Sequence, residues 1–99
     1  MRVDEFYKSL QKGRLEQQDH INALQGGIAV LESESATYED KQSILDDLIA
    51  TYPHLSEQID ANRSSVEGLI PVLEDELEIH QKILDALYQK ALRVLGQQG

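Results

Sequence analysis

The sequence predicts an all-α fold, built as an elongated antiparallel helical hairpin or three-helix arrangement with coiled-coil-like packing. Three observations support this prediction. Good helix formers (Leu, Glu, Gln, Lys and Ala) dominate the 99 residues. Apolar residues recur three and four positions apart near both ends of the chain. There is no alternating run of Val, Ile or Thr of the kind that marks a strand. The pattern predicts one domain, 1–99, with helices at about 3–34, 38–50 and 54–95.

The first helix is predicted from an apolar face that is interrupted at its centre. That face consists of Val3, Phe6, Leu10, Ile21, Leu24, Ile28 and Leu31. Gly13 and Gln17 occupy core positions within it, and Gly26-Gly27 follows. A glycine inside a helix costs about 1 kcal/mol relative to alanine, so the pair could mark a close crossing, a kink or a break. Because the apolar face keeps its phase across the pair, we expect a continuous helix that is locally weak.

The middle of the chain contains the clearest start and stop signals. Thr37 followed by Asp40 resembles a capping box with Asp in place of Glu. The apolar residues of the short helix are Ile44, Leu45, Leu48 and Ile49. Pro53 disfavours helical geometry at Tyr52 and suits the first turn of a new helix. The second helix is therefore expected to end near residue 50, and the third to begin near His54.

The last helix has the strongest pattern, a heptad-type seam over four heptads. We predict that it forms the interface between copies of the chain, and its members are Val66, Ile70, Leu73, Leu77, His80, Leu84, Leu87, Ala91 and Val94. Further apolar residues flank this seam, and a face of such width usually packs against two helices. Pro71 would clash with the carbonyl of Glu67, so either one long helix kinks there or a new helix begins near Leu69. Since the seam keeps its phase there, we expect a kink in one helix, with a frayed tail at 96–99.

The predicted helix lengths give these patterns a consequence for assembly. A helix over 56–95 would be roughly 60 Å long, whereas a compact domain of 100 residues has a radius of gyration of about 13 Å. The helices must therefore lie side by side as a rod, and the short middle helix covers only part of it. Exposed apolar surface of this kind marks an interface, so we expect a homodimer or a higher oligomer.

Composition excludes several classes of function. The chain has 9 basic and 18 acidic residues, a net charge of −9 and a pI near 4.6. This balance argues against nucleic acid as a partner. Without Cys there is no disulfide, Cys-ligated zinc or thiol nucleophile. No apolar run approaches the roughly 20 residues that span a bilayer, and acidic residues occupy the N-terminal stretch where a signal peptide is apolar. We therefore expect a cytoplasmic protein that has no membrane partner.

Candidate chemical groups are few, and none forms a recognised motif. Glu76 and His80 stand four residues apart, as do Glu16 and His20, but the Glu-x-x-His spacing of di-metal bundles is absent. His80 is interpreted as a core histidine, and His20 and His54 as solvated or interface residues. The sequence thus predicts no catalytic residue, no cofactor and no metal site. Tyr52 is a candidate anchor for a partner, because tyrosine combines apolar area with a hydroxyl.

These observations favour a non-catalytic protein–protein interaction module. An adaptor, an assembly factor or an export-type chaperone would act through an oligomeric coiled-coil bundle that binds an unidentified protein. The alternative is an acidic inhibitor, viral or otherwise, that mimics nucleic acid and occupies a basic site on its target. A third hypothesis is a bundle enzyme or metal carrier that uses His and Glu.

Overall fold

The computed structural model describes residues 3–98, including every side chain in that range except those of 95, 97 and 98. The elements, in chain order, are α1 (Val3–Glu32), α2 (Tyr38–Thr51), a 3₁₀ turn (Pro53–Leu55), α3 (Ser56–Ala61), a second 3₁₀ turn (Val66–Leu69) and α4 (Ile70–Gln98). The predicted all-α class is confirmed, and residues 3–98 contain no strand. Across this range no helix combines the length and the apolar character needed to cross a membrane.

The two long helices pack against each other as an antiparallel hairpin. Their direction follows from the pairs that meet: a Cβ atom added to Gly13 would lie 3.3 Å from Leu87, and Gln17 bonds His80. The molecule measures 55 × 20 × 20 Å, and its radius of gyration is 17.1 Å, above the value of about 13 Å for a compact domain. The elongated hairpin predicted from helix length is confirmed.

The shorter elements cover only one end of this hairpin. There they enclose the main apolar core, which consists of Leu24, Leu31, Leu45, Leu48, Tyr52, Leu55, Ile59, Leu69 and Leu73. We call residues 20–80 the covered half, and residues 3–19 with 81–98 the open half. In the open half α1 and α4 have only each other as neighbours within the described chain. Apolar side chains on the outer faces of the open half therefore remain in contact with water.

Helix α1 is continuous through Gly26-Gly27, as the phase of its apolar face predicts. Gly27 is buried under α2, and a Cβ atom there would lie 3.5 Å from both Ile44 and Leu48. A Cβ atom at this distance would be in ordinary van der Waals contact, so α2 packs directly on α1 at Gly27. The capping box is also present, since Thr37 Oγ1 accepts from the Asp40 N–H at 3.1 Å and Asp40 Oδ2 accepts from the Thr37 N–H at 3.2 Å.

The single helix predicted over 54–95 is wrong, because the chain turns between α3 and α4. Asn62 ends α3: its side-chain amide donates to the Gln58 carbonyl at 2.8 Å, a local bond that competes with helix continuation. A Cβ atom on Gly68 would lie only 2.8 Å from Asn62 Oδ1, so a larger residue there would push the Asn62 side chain out of its position. Pro71 is the second residue of α4, where its missing N–H costs no hydrogen bond. The tail expected to fray is helical to residue 98, and residue 99 lies outside the described residues.

Arg63 fastens this turn to α2. Its guanidinium contacts Asp60 at 2.8 Å and Asp46 at 2.7 Å, and it donates to Gln42 Oε1 at 3.0 Å. The Gln42 amide donates in return to the Arg63 carbonyl at 2.9 Å. These contacts hold the turn in place, so that α4 starts beside the core with Leu69 and Leu73 buried within it.

Candidate functional site

All three histidines of the chain meet in one cluster at the boundary between the two halves. His20 comes from α1, His54 from the first 3₁₀ turn and His80 from α4. Tyr52, at the C-terminal end of α2, and Glu76, one turn before His80, complete the group. We call these five residues the histidine cluster. At this cluster the shorter covering elements contact both α1 and α4.

Each histidine makes one hydrogen bond, and each bond joins a different pair of elements. His20 Nδ1 and the Tyr52 hydroxyl are 2.7 Å apart, which links α1 to the end of α2. The ring N–H of His54 Nε2 donates to Glu76 Oε1, which links the 3₁₀ turn to α4. His80 Nδ1–H donates to Gln17 Oε1 at 2.6 Å, which links α4 to α1. The histidines therefore act as ties between elements that are distant in sequence.

The aromatic rings of the cluster also contact one another. His20 and His80 stack with ring centroids 4.4 Å apart and an interplanar angle of 21°. The Tyr52 ring centroid lies 5.4 Å from that of His20 and 5.9 Å from that of His80. Since ring nitrogens bind metals in the plane of the ring, two stacked imidazoles do not converge on one ion. Over the described residues, no three His, Asp or Glu side chains are placed to hold a metal ion.

Burial sets the electrostatics of the cluster. Glu76 is only 6% exposed and is the one buried charged residue identified in the described part of the chain. Burial raises the pKa of the Tyr52 hydroxyl above its ordinary value, and the nearby Glu76 carboxylate raises it further. Burial also lowers the pKa of His80, as do His20 and His54, whereas Glu76 acts in the opposite direction. The cluster thus favours neutral His80 and neutral Tyr52.

The sequence did not predict this convergence. Tyr52 was a candidate anchor for a partner, but its side chain is 3% exposed and belongs to the core. His20 was expected to be solvated or at an interface, and it is half-buried against His80. One signal was available: Gln17 interrupts the apolar face of α1, and His80 interrupts that of α4. Polar residues at the same level of two antiparallel helices can form a hydrogen bond with each other, and Gln17 and His80 do so.

The nine residues predicted for the interface between copies lie mostly against α1 and the core of the same chain. Leu73 is fully buried, and Val66, Ile70 and Leu77 pack against the core. The other five (His80, Leu84, Leu87, Ala91 and Val94) are half-buried. The more exposed apolar residues of α4 are ones that flank this seam, because α1 occupies the seam itself.

Among the described side chains, α4 contributes to two exposed apolar surfaces, which lie on opposite sides of this helix. One consists of Ile79 and Ile83. The other, which we call the Tyr88 face, consists of Leu15, Tyr88 and Leu92, whose exposed fractions are 60%, 48% and 60%. Leu15 and Tyr88 line one groove of about 250 Å³ between α1 and α4, and Arg14 stacks on the Tyr88 ring at 5.0 Å. The Tyr88 face therefore draws on both long helices.

Charged side chains are distributed unevenly between the covered half and the open half. The covered half contains thirteen acidic and two basic side chains, and the open half contains five acidic and six basic ones. The net charge of −9 is thus concentrated at one end of the rod, and the end with the Tyr88 face is close to neutral.

Comparison of the chain with protein-family models, with curated proteins and with solved structures gives no match.

Proposed function

We propose that this chain is a non-catalytic protein-binding module that works as a homodimer, joined through the Tyr88 face of its open half. The observation that carries the proposal is the set of exposed Leu15, Tyr88 and Leu92 side chains on the part of the hairpin that no other element covers. Contiguous exposed apolar groups of this kind mark interaction sites, and tyrosine is enriched in them. A second hairpin on this face would complete a four-helix bundle.

The distribution of charge supports the same contact. Two copies that each carry −9 repel each other, but the open halves are nearly neutral. A two-fold contact between open halves places the two acidic halves at opposite ends of the dimer, where their repulsion is weakest.

The hydrogen bonds of the histidine cluster support the proposed class of function. In the histidine cluster the three bonds tie elements together, and that use supports a binding role for the chain rather than a catalytic one. An adaptor, an assembly factor or an export-type chaperone fits a bundle that presents helical surface to a partner protein. A cytoplasmic location is part of the same proposal.

Sedimentation velocity over about 1–100 µM tests the dimer with two matched variants. Leu92→Asp places a charge on the Tyr88 face, and Ile83→Asp places one on α4 about 180° away, since nine residues separate the two positions. We expect the wild type and I83D to sediment as dimers, and L92D to sediment as a folded monomer with unchanged helical circular dichroism. A wild type that is monomeric throughout, or an L92D variant that stays dimeric, would contradict the proposal.

The concentration of acidic side chains favours one second candidate. Thirteen carboxylates against two basic groups in the covered half give it the charge of an inhibitor that occupies a basic site. Such an inhibitor would compete with DNA for a basic protein, in a manner that weakens steeply with salt. A competition titration at 50 and 200 mM salt decides: no displacement of DNA at either concentration removes this candidate.

A further inference from the structure

We propose that the histidine cluster is an acid-sensitive latch, which holds the end of α2 and the following turn (residues 44–56) against the α1–α4 hairpin at neutral pH and releases them when His80 becomes protonated. This latch lies in the covered half, and the inference does not depend on dimerisation. It starts from the three hydrogen bonds, each of which ties a different pair of elements through a histidine. Histidine is the side chain whose charge normally changes between pH 5 and 8.

The stacked pair of rings is the part of the latch that resists protonation. Neutral His80 already uses Nδ1–H to donate to Gln17, so an added proton goes to Nε2 of a half-buried ring. The His20 ring lies 4.4 Å away, and two imidazolium ions at that separation repel each other. Separation of the rings relieves the repulsion, and it also pulls on Tyr52, which His20 holds.

The titratable groups around His80 come from each element packed there. His20 faces it from α1, Tyr52 from the end of α2, His54 from the 3₁₀ turn and Glu76 from its own helix. Only Glu76 favours a charged His80, and this carboxylate is already hydrogen-bonded to His54. Burial and the two other histidines hold the pKa of His80 below its ordinary value.

The direction of the pH effect follows from that lowered pKa. An unfolded or released His80 takes up a proton near pH 6.5, whereas the latched His80 does so only at lower pH. The contribution of His80 to stability is therefore present above about pH 6.5 and is lost as the pH falls. His54 makes its own hydrogen bond to Glu76, so a variant at each position separates the contribution of His80 from that of His54.

Hydrogen–deuterium exchange of the full chain at pH 7.5 and 5.5, corrected for intrinsic exchange rates, tests the latch directly. At the lower pH we expect the opening constant of residues 44–56 to rise by up to about tenfold, because released His80 is then mostly protonated. His80→Gln keeps a donor for Gln17 and should abolish the increase. His54→Gln keeps a donor for Glu76 and should preserve the increase.

Three results would overturn the latch. The first is no increase in opening of residues 44–56 in the wild type. The second is an increase that survives in H80Q or disappears in H54Q. The third applies to the wild type alone, so it holds even if a variant fails to fold. In an NMR titration the ring of His80 should have its midpoint below 6.5, and a midpoint at or above that value contradicts the proposal.

Discussion

Removal of the Tyr52 hydroxyl is the smallest change that tests whether the histidine cluster holds the covering elements in place. Tyr52→Phe keeps the buried ring and deletes only the group that lies 2.7 Å from His20 Nδ1. Tyr52 is 3% exposed, so the phenyl ring of the variant stays in the core while His20 Nδ1 loses its partner. The variant therefore isolates the tie between α1 and the end of α2.

The expected magnitude follows from that geometry. A typical hydrogen bond contributes about 0.5–1.5 kcal/mol, and a buried polar atom left without a partner costs about 1–3 kcal/mol. His20 is only half-buried, which places the expected loss at about 1–2 kcal/mol. For a domain of this size each kcal/mol corresponds to roughly 4–8 °C in melting temperature, so Tm should fall by about 4–16 °C.

Urea unfolding followed by circular dichroism at 222 nm measures this loss, at one protein concentration for all variants because association alters apparent stability. Tyr38→Phe is the matched control, since the Tyr38 side chain is 70% exposed and its loss of a hydroxyl should change nothing. If the free energy of unfolding of Y52F is within about 0.3 kcal/mol of the wild-type value, the hydrogen bond contributes no net stability. The cluster would then not hold α1 and the end of α2 together.

Three further substitutions should change the stability of the chain through the local contacts of the replaced residue. Thr37→Ala removes half of the capping box and should cost about 1 kcal/mol in urea unfolding. Gly26→Ala should stabilise the chain by about 0.5–1 kcal/mol, because a Cβ atom there meets nothing within 4 Å. Gly68→Ala should instead lower Tm, because its Cβ atom would lie 2.8 Å from Asn62 Oδ1. The pKa of Tyr52 is raised, so the absorbance change at 295 nm that Tyr52→Phe removes should occur above pH 10, and the contribution of Tyr52 to stability should be lost as the pH rises above 10. If the change that Tyr52→Phe removes is centred at or below pH 10, the burial of Tyr52 is contradicted.

Local sequence signals predicted the elements well where the decisive interactions are local. Thr37 and Asp40 form the predicted capping box, and the phase of the apolar face correctly predicted a continuous α1 across Gly26-Gly27. The predicted third helix failed because the apolar seam keeps its phase across a turn. The side chain of Asn62 and the close approach at Gly68 produce that turn, and neither shows in periodicity.

The histidine cluster could not be predicted because it depends on register between distant elements. His20, His54 and His80 look like scattered polar residues until the hairpin brings α1 and α4 to the same level. The burial of Tyr52 likewise depends on how α2 crosses α1 at Gly27. For the same reason the periodicity of α4 could not show that α1 of the same chain packs against this seam.

The central claim, that two copies join open half to open half, is tested most directly by small-angle X-ray scattering on protein eluting from a size-exclusion column. One rod is 55 Å long, and the overlap of two open halves is about 26 Å at 1.5 Å per residue. The account predicts a particle of twice the 11.2 kDa chain mass with a maximum dimension of about 85 Å. A particle of one chain mass, or a dimer no longer than about 55 Å with its acidic halves side by side, would contradict it.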